Sequence, residues 1–453
     1  MGDQIQTNAA ASKKTWCRWF VLLLVALVYC LSFMDRVNIG VVLPVLRSEY
    51  SLTNAQAGQL ASMYFVGYII AVVPAGFLIS KYGSRSITLF GIIGFSLCTF
   101  LIGTATSANQ ILWYRVGLGS AEAPIPPGGA TIIKSWFPNR EQATASGIFM
   151  GASTLGMILA PPVAVWILVN YNWNYVFYFF AIPGFIISVL WRLLIRNQPE
   201  QMILCNLAEQ QYIKSGQNAS EGSSDFFQEK DNVYIRFVDK FLSQKSIKLY
   251  ETLIDLLQSR DFWGLIGGFC FMGFVSVGIV MWIPAYLVDV KAMQLSDIGW
   301  LAAAQAIGGL VGCVVGGMVS DNVLNKRRKP NMLFTPISVP VILMLLIDGA
   351  DNTIVLGIEL ILLGFFLYIA WSCYFAYLMQ IAGTKIYPIA SAIMIGFISI
   401  SGFFSPIVCG YLLDVYKSYD NVFYFWMLSS FMSLLSISMI TEMVGEKREE
   451  NNA

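Results

Sequence analysis

Apolar stretches long enough to cross a bilayer recur along the chain, near residues 17–40, 56–80, 87–106, 109–133, 142–169, 174–195, 261–290, 296–320, 331–349, 352–380, 386–413 and 421–442. A helix of about 20 residues spans the hydrocarbon core, so the pattern predicts twelve membrane helices. The hydrophilic stretch 197–260 divides them six and six. The expected fold is therefore an all-α membrane protein of two six-helix bundles, 16–196 and 261–443. A cytoplasmic tail (1–15), a linker (197–260) and a second tail (444–453) complete it. An internal echo argues that the bundles are pseudo-symmetric. After the second run comes GFLISKYGSR (76–85), and after the eighth GMVSDNVLNKRRK (317–329). Both read glycine, three residues, a small or acidic residue, then basic charge; repeated halves of this kind are typical of secondary transporters.

Composition fits that pattern. Of the 453 residues, 57% are hydrophobic and only 12% charged, against about 25% charged in soluble domains. Net charge is +1, which offers no basic field for nucleic acid. The chain has no histidine, so any proton chemistry falls to carboxylates. The eight cysteines are scattered and form no CxxC; no disulfide framework is expected. No cofactor is called for, and the absence of a nucleophile–base set, metal spacing or phosphate loop speaks against an enzyme. Lys13, Lys14 and Arg18 precede the first run without a small-residue cleavage site, which reads as an uncleaved first helix.

Basic residues set the orientation. With the N-terminus inside, the inner loops carry Lys81, Arg85, Lys134, Arg140, Arg192, Arg196 and 326–329, and the outer ones only Arg47, Lys291 and Lys417. Both ends are expected in the cytoplasm. In the linker, 215–231 reads as flexible, and Tyr234, Phe237, Val238 and Phe241 interleave with Arg236, Lys240, Lys245 and Lys248. That spacing fits either an interfacial helix on anionic lipid or a half-solvated helix on the cytoplasmic face. Asn218 heads a glycosylation sequon in form only, since it faces inward.

Charges inside the runs are the informative exceptions, because each costs about 2.5–3.5 kcal/mol at mid-bilayer. Asp35 and Arg36 lie in the first run, Arg115 and Glu122 in the fourth. Seven residues is close to two turns, so Arg115 and Glu122 share a face. The directions of the two runs let all four meet in one cavity. Their formal sum is zero and becomes +1 when Glu122 takes a proton, which suits a site where proton and anion each ease the other's binding. Purely structural salt bridges are the alternative. Behind Glu122, Pro124, Pro126 and Pro127 open the helix ladder, giving either a bend that moves or a fixed kink. Gly147 with Gly151, and Gly308, Gly312 and Gly316, recur every four residues; they suit close helix approach, either as a sliding seam between halves or as ordinary packing. Glu359 in the tenth run has no assigned role, and Tyr64, Tyr68, Trp282, Tyr286, Trp371, Ser372 and Tyr374 are candidate cavity aromatics and hydroxyls.

These segments resemble the major facilitator superfamily, in particular its anion:cation symporter branch, which includes hexuronate, galactonate and glucarate permeases and vesicular glutamate relatives. The resemblance rests on MDRVNIGVVLPVL (34–46), YGSRSI (82–87), YRVGLGSAEAP (114–124) followed by IIKSWFPNRE (132–141), and WIPAYL (282–287). It implies that Arg36 binds a substrate carboxylate and that Tyr68 lies at the substrate; Arg115, Trp371 and Ser372 are candidate substrate contacts read from the residues themselves. It implies further that Asp35 and Glu122 take protons, Arg115 pairing with Asp35, and that Ser80, Arg85 and Asp321 belong to the cytoplasmic gate. Ser80 stands where the superfamily loop has an aspartate, so the first gate is expected to be weaker or differently paired. Ser153 and Ile395 stand where sugar-acid members place amides, and Ala370 precedes Trp371; this favours a smaller or more apolar carboxylate, or an amino acid. The expected function is proton-driven symport of a small organic anion by a single-chain protein of a bacterial inner membrane, with sodium as a possible replacement for the proton. A transporter-like sensor signalling through the linker, and a proton-independent anion or organic phosphate exchanger, are the competing readings.

Overall fold

Only a backbone that satisfies its own hydrogen bonds survives in hydrocarbon, and the computed structural model is built from helices. It describes residues 15–202, 204–218, 244–246, 249–324, 327–347, 352–383 and 386–444. The first half of the chain forms α1 (Cys17–Glu49), α2 (Asn54–Tyr82), α3 (Ser84–Gly103), α4 (Ala108–Glu122), α5 (Ile125–Trp136), α6 (Asn139–Asn170), α7 (Trp173–Leu194) and α8 (Leu207–Asn218). After strand β1 (Gln244–Ser246) come α9 (Leu253–Gln258), α10 (Arg260–Asp289), α11 (Leu295–Met318), α12 (Lys329–Ile347), α13 (Thr353–Tyr368), α14 (Trp371–Ile381), α15 (Tyr387–Tyr416), α16 (Asp420–Ser438) and strand β2 (Glu442–Val444). Among the described residues, eleven helical stretches are long and apolar enough to cross a membrane, with α13 and α14 counted as one. The fourth predicted span supplies the twelfth crossing in two pieces, α4 and α5. Large apolar side chains point outward, Phe77 and Phe90 each 72% exposed, as lipid-facing positions require.

The chain divides into two compact units, one of residues 1–50 and 63–224, the other of residues 51–62 and 225–453. In the first, α1 packs on α6 and α7, and α3 packs on α7 and on α4. In the second, α10 packs on α15 and α16, and α12 packs on α16 and α13. Numbered as spans, first-on-fifth, first-on-sixth, third-on-sixth and third-on-fourth recur as seventh-on-eleventh, seventh-on-twelfth, ninth-on-twelfth and ninth-on-tenth. The repeat announced by the loop motifs is thus carried through the packing. The helix breaks recur as well. The fourth span is interrupted at Ala123 and Pro124, the tenth at Ile369 and Ala370. Prolines announce the first break; nothing in the residues announces the second.

Glycine spacing foretold close contacts but not their partners. A Cβ on Gly308, Gly312 or Gly316 would stand 1.8–2.2 Å from the carbonyl oxygens of Ile361, Phe365 and Ile369. These glycines therefore let α11 lie against α13 within the second unit. At Gly147 and Gly151 no atom lies within 4 Å of such a Cβ, so tight packing does not explain that pair.

The linker differs from its expectation. Residues 219–243, which hold most of the flexible piece and the strongest part of the amphipathic pattern, lie outside the described residues. Beyond them the helical spacing does not persist. Residues 244–246 pair in parallel with 442–444, Tyr250 bridges to Ala382, and only α9 is helical. Upstream, α8 was not foreseen. Its signal is a cap: the Asn206 side chain accepts the Glu209 N–H at 2.9 Å, the Asn-x-x-Glu spacing of a helix start. Glu209, fully buried, then accepts from Cys17 N and Arg18 N at 3.3 Å and from Arg18 Nη1 at 2.9 Å. Carboxylate and helix N-terminus suit each other, so α8 is fixed to the start of α1. All eight cysteines are free.

Candidate functional site: a buried ion cluster in the first unit

The four charges of the first and fourth spans converge within the first unit. Asp35, Arg115 and Glu122 are fully buried, and the Arg36 side chain is 19% exposed. Their supports are local. Asp35 and Arg36 are consecutive on α1, so they leave the helix about 100° apart. Arg115 and Glu122 sit two turns apart on α4. Helix α2 crosses α4 closely enough that a Cβ on Gly119 would lie 1.9 Å from the Tyr64 carbonyl oxygen; only glycine fits there. That crossing inserts Tyr64 between the two charged helices.

Tyr64 is the meeting point. Its hydroxyl donates to Glu122 Oε2 at 2.7 Å and accepts from Arg36 Nη2. Its ring lies 4.7 Å from the Arg36 guanidinium and 5.5 Å from that of Arg115. Phe33 and Tyr68 complete an aromatic cage around Arg36, at 4.3 Å and 5.5 Å. Ring faces attract a desolvated cation, which offsets part of the cost of holding it in the bilayer. Glu122 is also reached by Ser32 Oγ at 2.8 Å and lies 3.6 Å from Arg36 Nη2. Its other oxygen, Oε1, is buried without a hydrogen-bond partner.

Arg115 reaches Asp35 through the backbone: Nη1 donates to the Asp35 carbonyl at 3.5 Å. Both carboxylate oxygens of Asp35 are buried without a hydrogen-bond partner. Burying a carboxyl without a donor is costly, and the Arg115 guanidinium nearby offsets part of that cost. Two carboxyl groups thus stand beside two guanidinium groups in an enclosed region, an arrangement able to bind an anion and to load and unload protons.

The helix break lies just past Glu122. Pro124 caps α5 and Pro126 and Pro127 fill its first turn, positions where proline's missing N–H is harmless. The Gly128 carbonyl, one turn into α5, receives the Ser84 hydroxyl at 2.7 Å, which ties α5 to the start of α3.

Elsewhere the predicted site residues fare differently. In the second unit Trp371 is half-buried and packs on Phe269 and Tyr368, both at 4.8 Å. Ser372 Oγ is buried without a hydrogen-bond partner. Ser276 and Tyr368 share a hydrogen bond of 2.7 Å, and Gln305, 4% exposed, has a free Nε2. Trp282 and Tyr286 are packing residues, bonded to the carbonyls of Pro406 and Leu346. Glu359 is half-buried near Lys291. At the first loop motif, Ser80 bonds back to Phe77 O in its own helix and Arg85 reaches Arg192 O, so those two are not joined. At the second, Asp321 pairs with Arg328 at 2.6 Å. Ser32 and Phe33 were not foreseen; the signal available was their place within one turn of Asp35 and Arg36, on the same helix face for Ser32 and Arg36.

Comparison with known proteins agrees with this architecture. Residues 25–406 match the family model of the Major Facilitator Superfamily, and the chain belongs to that superfamily. It is a polytopic membrane transporter rather than an enzyme. Its curated relatives include the probable galactarate/D-glucarate transporter GudP of Bacillus subtilis (strain 168), 25% identical over 97% of this chain and 96% of that one. The hexuronate transporter of the same organism is 22% identical over 94% and 95%, and the D-galactonate transporter of Escherichia coli O6:H1 25% identical over 77% of each. These relatives fall in the branch that the motifs resemble. Among solved structures, a bacterial homologue of the human lysosomal transporter Spinster, inward-facing and occupied, superposes with a TM-score of 0.69 at 17% identity, covering 94% of this chain and 95% of that one.

Proposed function

We propose that the protein is a secondary active transporter that carries a small organic anion together with a proton by alternating access. The observation that carries this reading is the contact of Glu122 with both Arg36 and Tyr64, out of water. With Glu122 ionised, Arg36 already has a carboxylate beside it. With Glu122 protonated, the guanidinium has a vacancy for the carboxylate of a substrate. Proton and anion therefore bind better together than apart, which is the definition of positive coupling. Asp35 is the second proton site, and Arg115 keeps the cluster's charge balanced.

The sugar-acid names of the relatives support a carboxylate substrate. The residues favour one with fewer hydroxyls than a hexarate. Ser153 donates to Met150 O of its own helix at 2.6 Å, and Ile395 has no polar group, so neither offers an amide's donor and acceptor. We place the protein in a bacterial plasma membrane as a single chain, with both termini in the cytoplasm.

The test uses purified protein in proteoliposomes with an inward proton gradient. Galactarate, D-glucarate, D-galactonate and smaller mono- and dicarboxylates are offered as labelled substrates. The expected result is accumulation that collapses with a protonophore. Glu122→Gln is expected to reduce gradient-driven accumulation by about tenfold or more while sparing exchange. A Glu122→Gln protein that still concentrates substrate would remove Glu122 from the mechanism. Uptake indifferent to the pH gradient would favour anion exchange instead.

A further inference from the structure

Tyr64 has no role in the reading above beyond contact, yet its position is unusual. A phenol carries one hydrogen. Here that hydrogen is committed to Glu122 Oε2 at 2.7 Å, while the same oxygen accepts from Arg36 Nη2. Tyr64 is fully buried, so no water can take over either bond. The backbone crossing at Gly119 leaves it no room to withdraw. Arg36, Tyr64 and Glu122 form a chain in which every donor points the same way. Such chains polarise one another in a low-dielectric interior, by about 10–30% per bond.

We infer that Tyr64 is the positioning residue that, beside the direct 3.6 Å approach of the two charges, carries most of the coupling by which the proton on Glu122 governs how tightly Arg36 is held, and so how ready Arg36 is for a substrate carboxylate. The inference rests on the proposed roles of Glu122 and Arg36. When Glu122 is ionised, Tyr64 gives its hydrogen fully to the carboxylate, and its oxygen becomes a strong acceptor for Arg36. When Glu122 is protonated, that acceptance weakens and Arg36 is freed without moving the helices. Ser32 touches the same Oε2 at 2.8 Å from one turn before Arg36. It stabilises the carboxylate without bridging to the cation. The other titratable or charged groups facing the chain are Tyr29 and Asp35 on α1, Tyr68 on α2, Cys98 on α3 and Arg115 on α4.

The experiment needs no substrate. Full-length protein in lipid is titrated by infrared spectroscopy, following the protonated-carboxyl band that Glu122→Gln removes. The shift of its midpoint caused by Arg36→Gln measures the coupling between the two groups. The same shift is then measured in a Tyr64→Phe background, which keeps the ring and deletes the hydroxyl, and in a Ser32→Ala background. The relay predicts that Tyr64→Phe reduces the Arg36→Gln shift to about half or less, while Ser32→Ala moves the midpoint but leaves that shift intact. An Arg36→Gln shift of full size in Tyr64→Phe overturns the relay. So does an equal reduction by Ser32→Ala, or loss of the band in a Tyr64→Phe protein whose thermal unfolding is normal. If no band sensitive to Glu122→Gln titrates in the unsubstituted protein, the proton-site reading itself fails, and with it the relay.

Discussion

The two units share a packing scheme and differ in where they keep their charge. In the first, Asp35, Arg36, Arg115 and Glu122 are gathered deep in the membrane spans. In the second, the fully buried charges among the described residues are Arg327, Lys329 and Glu442; Arg327 and Lys329 stand at the start of α12, and Glu442, on β2, reaches the same helix start. Glu442 accepts the N–H groups of Arg328 and Lys329 at 3.1 and 2.9 Å, capping α12. Lys329 Nζ in turn reaches the Ser438 and Ile440 carbonyls at the end of α16. Deeper in, the second unit offers hydroxyls, an amide and rings. The lesson is that position along the helix, not burial alone, separates a charge kept for structure from one kept for function. A carboxylate at a helix start is repaid by N–H groups and the dipole. One at mid-span has no such return and needs a ligand, a proton or a cation.

The sharpest break of this comparison is a pair of substitutions across it. Arg36→Lys removes a planar guanidinium that three rings enclose, and a lysine ammonium is a poor replacement at such a stacked site. Substrate affinity is expected to fall by about 100-fold, worth about 2.7 kcal/mol. Tyr368→Phe in the second unit loses only the neutral bond to Ser276 and is expected to cost less than about tenfold. Competition curves against a labelled carboxylate in proteoliposomes measure both. Equal losses would mean that a neutral bond in the second unit matters as much to anion recognition as the mid-span guanidinium of the first.

Much of this was legible from the chain. Apolar runs fixed the spans because a bilayer demands about 20 residues each time, and four charges in those runs were conspicuous because they are costly. The three prolines marked the break behind Glu122. Other features carry no such mark. Ile369 and Ala370 contain neither proline nor glycine, so the second break follows only from packing. Four-residue glycine spacing says that something approaches closely; that α13 approaches Gly308, Gly312 and Gly316 is a property of the folded unit. Tyr64 reads as one of several candidate cavity aromatics, and only the crossing of α2 over α4 singles it out by turning it toward Arg36 and Glu122.

Glu442 sharpens the structural side of the comparison through pH. Burial, against the pull of the Arg328 and Lys329 N–H groups and of the Arg327 and Lys329 charges, raises its carboxyl from 4.5 to about 7. A group whose value is raised by folding binds its proton more tightly in the folded state. Its contribution to stability is complete below the ordinary value and is lost as pH climbs through about 7. The protein is therefore expected to lose stability between about pH 5 and 7, by at most about 1.4 kcal/mol per pH unit. Glu442→Gln should flatten that slope in thermal or denaturant unfolding. A slope unchanged by Glu442→Gln would place the titrating group elsewhere.

Asp414 provides the smallest and cleanest test. At the end of α15 its carboxylate accepts from Asn54 N at 2.9 Å, Asn54 Nδ2 at 3.0 Å and Ala55 N at 2.7 Å, all within the second unit, which includes residues 51–62. It caps the start of α2 from another helix, with Gly410 and Gly58 permitting the approach. The Asn54 carbonyl would stand 2.2 Å from a Cβ at Gly410, and the Pro406 carbonyl 2.1 Å from one at Gly58. Asp414→Ala deletes the acceptor and is expected to cost about 1 kcal/mol, the usual worth of a cap. Asp414→Asn keeps an acceptor but not the charge. Its cost separates hydrogen bonding from attraction to the helix dipole, which is worth about 0.3–1 kcal/mol. Because Asp414 caps a helix and does not hold a proton for transport, neither substitution should move the pH midpoint of uptake, although both lower the unfolding midpoint. A displaced uptake midpoint in Asp414→Asn would give a helix-end carboxylate a part in coupling, and the division between mid-span and terminal charges would no longer hold.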